Sequence, residues 1–127
     1  MFDGGYVHHG LLKAAGWLLE REFDTIKELL VRHPEYHLTL GGHSLGSGIA
    51  ALVTIILVNS HSQLDPVSVD RIRCYAIAPS RTTSMNLAVR YADCIKSVVL
   101  QVLPTAPHHR LACNSWRDRP SQTCLAG

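Results

Sequence analysis

The chain has 127 residues, 46% apolar and 17% charged, and twelve basic residues against ten acidic ones leave a net charge of +2. That length supports one domain rather than two, and the composition excludes a disordered chain. No run of Lys or Arg stands out, so there is no electrostatic footprint for a nucleic-acid partner.

The four cysteines, Cys74, Cys94, Cys113 and Cys124, form no CxxC pair. Neither a zinc site nor a redox dithiol is indicated, and no metal or cofactor is called for. The opening "MFDGGYVHHG" has no basic segment followed by an apolar one, so no secretory signal is expected. Reduced thiols and an intracellular location, cytoplasmic or at a membrane surface, follow as the expectation. The longest apolar run, Ile49 to Val58, is ten residues and is interrupted by Thr54. A bilayer needs roughly 18 or more, so a buried helix is expected there and no transmembrane one.

In chain order, Leu11, Leu12, Ala15, Leu18, Leu19, Ile26, Leu29 and Leu30 recur at three- and four-residue steps. This predicts a helix from His9 to His33, with Lys13, Glu20, Arg21, Asp24, Lys27 and Glu28 toward solvent. Pro34 stops it. Tyr36 to Leu40, "YHLTL", alternates and predicts a strand. "GIAALVTIILV" has β-branched content, but its length and alanines predict a buried helix. "NSHSQLDP" reads as a polar loop and Arg71 to Ala78 as a second strand ended by Pro79. "SMNLAVRYA" reads as a short helix capped by Ser84, and Ile95 to Gln101 as a third strand. Helices alternating with apolar strands predict an α/β architecture: a parallel sheet of about three strands with helices on both faces. Beyond Gln101 no periodicity is found, and residues 102–127 read as a divergent, poorly ordered tail.

Gly42-His43-Ser44-Leu45-Gly46 fits GxSxG and lies between a predicted strand and a predicted helix. In that setting the motif is a nucleophile elbow, a tight turn that lifts the serine hydroxyl above the sheet. Gly42 and Gly46 are expected to remove Cβ atoms that would clash where strand and helix pack closely. The helix start aims free N–H groups at the site, with the Leu45 N–H as the first oxyanion donor.

"GGHSLGSGIAAL" resembles the elbow of the class 3 (fungal-type) lipases. "YVHHGLLKAAGWL" is similar to the His-x-Gly segment that opens the helix before the elbow strand in that family. "CYAIAPSRTTSMNLAVRYADCIKSVVLQ" is similar to the Ala-Pro strand, short helix and following strand of its plant and animal members, which include diacylglycerol-lipase-like proteins. The resemblance covers about residues 6–101. It implies a partial α/β-hydrolase domain over residues 1–101, with Ser44 as the catalytic nucleophile on a lipid ester such as an acylglycerol or diacylglycerol. It also makes a membrane-surface association compatible with the sequence.

The family pattern also requires an aspartate just after the third strand and a histidine well beyond it. Here "SVVLQ" runs into "VLPTAPHHRL", and no acidic residue appears before Asp118. His43 adjoins Ser44, but neighbours on a tight turn project differently, and a packing role is expected. His8 and His9 open the first helix and are expected to be structural. His33, His37 and His61 are expected on the surface. His108 and His109 with Asp118 would give a Ser…His…Asp order, and triads are recognised by geometry rather than order. Asp93, Asp65 and Asp70 read as capping or turn residues. Two functions therefore stand side by side: a serine ester hydrolase, or a catalytically dead lipase-like binding or regulatory module. A thioester or peptide substrate is a weaker third.

Overall fold

A computed structural model describes residues 1–101 and 110–114, with residues 100, 101 and 110–114 as backbone alone. The elements are α1 (His9–Arg32), β1 (Leu38–His43), α2 (Leu45–Asn59), β2 (Ile72–Ile77), α3 (Met85–Arg90), β3 (Ile95–Gln101) and β4 (Arg110–Asn114). Two single 3-10 turns, His61–Gln63 and Val69–Arg71, lie between α2 and β2. The sheet order is β1-β2-β3-β4. The first three strands are parallel, and β4 pairs antiparallel with β3. Nothing in the sequence pattern predicted β4. The expected bounds of the predicted tail fall mainly on residues outside the described ones.

The strands alternate in burial. Ile72, Cys74 and Ala76 of β2 are buried, whereas Arg73, Tyr75 and Ile77 are exposed. Ile72 and Cys74, with Leu38, Leu40 and Ile95, pack in clusters to which α1, α2 and α3 all contribute, through Leu11, Ala15, Leu52, Ile55 and Leu87 among others. The expected parallel α/β layering is present, but coverage differs from the expectation. Among the described residues all three helices sit on one face, and Tyr75 and Ile77 on the other face are 45% and 43% exposed. The physical sign was the alternation itself, since a strand covered on both faces reads as a continuous apolar run.

α2 is the interior helix. Its buried residues run around the whole circumference from Ser47 to Leu57, and the Thr54 hydroxyl is satisfied by the Ala50 carbonyl at 2.8 Å. α1 packs one stripe on α2 and ends at His33, whose N–H bonds the Leu29 carbonyl. The last carbonyls of α1 and the turn after it converge on one side chain. The Arg71 guanidinium donates to Tyr36 O (2.7 Å), Leu30 O (3.1 Å) and His33 O (2.7 Å), joining helix, turn and the start of β2. Arg71→Ala is expected to lower stability by about 2–3 kcal/mol, read from urea unfolding. Arg71→Lys should recover less than half of that, because an ammonium cannot present the planar fork. Full recovery by lysine would remove the geometric account.

Residues 1–8 strap across the start of α3. Phe2-Asp3-Gly4-Gly5 is a tight turn with φ of 44° at Asp3 and 75° at Gly4, closed by reciprocal Phe2–Gly5 bonds of 2.9 Å. Positive φ at both central residues is why an Asp-Gly pair stands there. Gly5 presses on α3, and a Cβ on it would lie 2.6 Å from Leu87 Cγ and from Ser84 Oγ. The Ser84 hydroxyl accepts the Tyr6 N–H at 3.0 Å and donates to Asn86 Oδ1 at 2.5 Å. It stands at the N-cap position, as expected, but makes no bond to the helix N–H groups. The Asp3 carboxylate takes hydrogen bonds from Tyr91 Oη (2.6 Å) and Arg90 Nη1 (2.7 Å), and these two partners hold its pKa below the ordinary carboxylate value.

Candidate active site

β1 does not stop at Leu40 as its alternation suggested. It continues in register with β2 through Gly41, Gly42 and His43, so that the chain turns only at Ser44. Ser44 has φ 53° and ψ −117°, between β1 and the first residue of α2. A non-glycine residue at positive φ costs about 1–3 kcal/mol and persists only where its surroundings impose it. Here they do. The Ser44 N–H donates to Ile77 O at 3.0 Å, extending the ladder by one residue. Its carbonyl accepts both the N–H (3.2 Å) and the hydroxyl (2.5 Å) of Ser47, a residue with no exposure. Ala78, at the matching end of β2, also has positive φ (47°), and its N–H bonds Val98 O at 2.7 Å.

The two motif glycines do different things. A Cβ on Gly42 would lie 2.5 Å from the Gly46 carbonyl carbon and 2.6 Å from Ser47 N, and no backbone atom can yield that far. The same clash was expected for Gly46, yet the space around its Cβ position is open. Gly46 is therefore the backbone that Gly42 abuts, and the steric demand falls on Gly42.

Ser44 and Leu45 are both exposed, and the Leu45 side chain is 60% exposed. The Leu45 N–H has no backbone acceptor among the described residues, as the first turn of a helix requires. A hydroxyl thus stands before a free N–H and the positive end of a fifteen-residue helix. Such an arrangement can hold a tetrahedral oxyanion once the hydroxyl has attacked a carbonyl.

The other ionisable candidates do not converge on Ser44. Its hydroxyl makes no hydrogen bond among the described residues. His43 is exposed on the uncovered face of the sheet instead of being packed. His8 is the N-cap of α1, and its Nδ1 accepts the Leu11 N–H at 3.4 Å. His33 stacks on Tyr36 with centroids 4.7 Å apart, at the end of β1 remote from Ser44. His61 lies in a 3-10 turn beside Val58 O, and Asp70 pairs with Ser68. Asp65 precedes the cis Pro66. His108, His109 and Asp118 lie outside the described residues. Cys74 and Cys94 are free thiols, each pushed up in pKa chiefly by burial, which makes them poor nucleophiles. What sequence reasoning missed here is Ser47. A serine on the first turn of a helix reads as an ordinary polar residue until its carbonyl partner is known.

The same arrangement of strands and helices occurs in solved fungal lipases. The structure of a fungal lipase–inhibitor complex superposes with a TM-score of 0.67 at 22% identity, covering 83% of this chain and 40% of that one. A lipase from Rhizopus microsporus var. chinensis gives 0.61 at 23% identity, over 72% of this chain and 31% of that one. The fold is thus that of an α/β-hydrolase, in part. The profile of the family described as Lipase (class 3) matches residues 1–106. Diacylglycerol lipase-beta of Mus musculus is 32% identical over 97 residues, which is 74% of this chain and 13% of the relative. The chain belongs to the class 3 lipase family. It spans about an eighth of the length of that curated relative.

Proposed function

We propose that the chain carries the nucleophile of a carboxylic-ester hydrolase acting on acylglycerols, diacylglycerols among them, with Ser44 as that nucleophile. The observation that carries the reading is the conformation of Ser44: positive φ, an exposed hydroxyl, and the free Leu45 N–H beside it. Ser44 Oγ attacks the ester carbonyl carbon as a base removes its proton. The carbonyl oxygen becomes an oxyanion facing the Leu45 N–H. Collapse expels the glycerol oxygen, which takes the proton, and water then releases the fatty acid. The base and its orienting acid come from outside the described residues. The relative's name supports a diacylglycerol substrate, and family membership supports a lipid at an interface. No helix among the described residues is long and apolar enough to cross a membrane.

The test is labelling with a fluorophosphonate probe beside a Ser44→Ala control. Labelling of the parent chain that the control lacks is expected. Equal labelling of both would remove Ser44 from the mechanism. A second reading, a non-catalytic binding module, is favoured by one observation: no imidazole or carboxylate among the described residues bonds Ser44. Ester turnover that Ser44→Ala abolishes would dismiss it.

A further inference from the structure

The three α-helices begin in two different ways. In α1 and α3 the N-cap residues, His8 and Ser84, have extended backbone, and each carbonyl accepts the N–H four residues on, from Leu12 at 3.0 Å and from Ala88 at 3.1 Å. In α2 the N-cap is Ser44, whose ψ of −117° swings its carbonyl away from the direction that the other two share. The donor to that carbonyl is Ser47, three residues on, through a long N–H bond of 3.2 Å and a short hydroxyl bond of 2.5 Å. Any residue at position 47 would supply the N–H. The second bond needs a side-chain donor at that depth, and Ser47, with no exposure to solvent, directs its hydroxyl there.

The φ and ψ of Ser44 set the direction in which its Oγ is presented, and they lie where a residue with a side chain is strained. The geometry points to Ser47 as a positioning residue: its buried hydroxyl holds Ser44 in the strained conformation from which Oγ meets an ester carbonyl. Ser47 acts through the Ser44 backbone rather than on the reacting atoms, and its role rests on the reading of Ser44 as the nucleophile. Thr54 supplies a comparison within the same helix. Its hydroxyl is as deeply buried and donates to the Ala50 carbonyl at 2.8 Å, but that bond lies in regular helix away from the elbow.

Fluorophosphonate labelling of the 127-residue chain, followed as rate against probe concentration, separates positioning from stability. Ser47→Ala is expected to lower the maximal labelling rate about three- to tenfold, with the half-saturating probe concentration unchanged, because losing one buried hydrogen bond lowers the share of molecules with Ser44 in the reactive conformation. Thr54→Val, which removes the other buried hydroxyl at nearly constant shape, should lower the melting temperature about as much and leave labelling at the parent rate. Ser47→Cys, close in shape but a weaker donor, should fall between parent and Ser47→Ala, and it carries the test if the alanine variant does not fold. Labelling of Ser47→Ala at the parent rate, where Ser44→Ala is not labelled, would overturn the inference and leave the nucleophile standing. Equal slowing by Thr54→Val would overturn it too, since the effect would then be a general softening of α2. Labelling that Ser44→Ala retains would remove Ser44 from the mechanism, and the role of Ser47 with it.

Discussion

Gly42→Ala is expected to lower the melting temperature on the order of 10–20 °C, the equivalent of about 3 kcal/mol for a domain of this size. The methyl would lie 2.5–2.6 Å from Gly46 C and Ser47 N, which are backbone atoms of the first turn of α2. They can retreat only if the turn unwinds or β1 leaves its register with β2, and both would release the Ser44 N–H from Ile77 O. Gly46→Ala serves as the internal control. Its Cβ meets nothing within 4 Å, and its position near the start of a helix gains up to about 1 kcal/mol of propensity from alanine. Differential scanning fluorimetry should therefore show Gly46→Ala unchanged or more stable. Equal destabilisation by the two would refute the claim that close approach at Gly42 is what the elbow requires. The comparison matters because the motif treats both glycines alike.

Much of the fold was legible because the relevant signals are local. Leu11, Ala15, Leu19 and Leu30 recur at helical spacing, and Pro34 follows the end of α1. The third strand, Ile95–Gln101, has the bounds that its apolar run gave. β1 was harder to bound: glycines weaken any strand signal, and only pairing with Tyr75 to Ile77 reveals that Gly41, Gly42 and His43 belong to it. The position of the elbow was legible because GxSxG specifies a local backbone geometry. Its supports were not. Ile77 and Val98 accept through backbone carbonyls on strands distant in sequence, and Ser47 donates to the Ser44 carbonyl, a contact that its residue type does not announce. Arg71 likewise lies 35 to 41 residues from the carbonyls that it gathers.

The uncovered sheet face bears on the chemistry as well as the fold. His43, one residue before Ser44, points to that side with Tyr75 and Ile77, whereas α2 and the Leu45 N–H lie beyond the strand end. A base that served Ser44 would have to come over the carboxyl ends of β1 and β2, where ligands bind in open α/β sheets. Among the described residues nothing titratable bonds the Ser44 hydroxyl there.

Turnover should follow from that geometry. With short-chain diacylglycerol, the purified 127-residue chain is expected to run about 10⁴- to 10⁶-fold below a lipase with a complete triad, because among the described residues no base or orienting acid bonds Ser44, and a site without either loses that much. On the proposed reading, the elbow and the Leu45 N–H alone would give only the residual stabilisation left when a triad is broken. The rate should accordingly show no inflection near pH 6–7, the range in which an imidazole base would titrate. Fluorophosphonate labelling should still distinguish the chain from Ser44→Ala, since a probe with a good leaving group demands less of a base than an alkyl ester does. Turnover within a hundredfold of a complete lipase, abolished by Ser44→Ala and falling below an imidazole-like pKa, would overturn this expectation. It would also place base and acid within the 127 residues, with His108, His109 and Asp118 as the first positions to substitute.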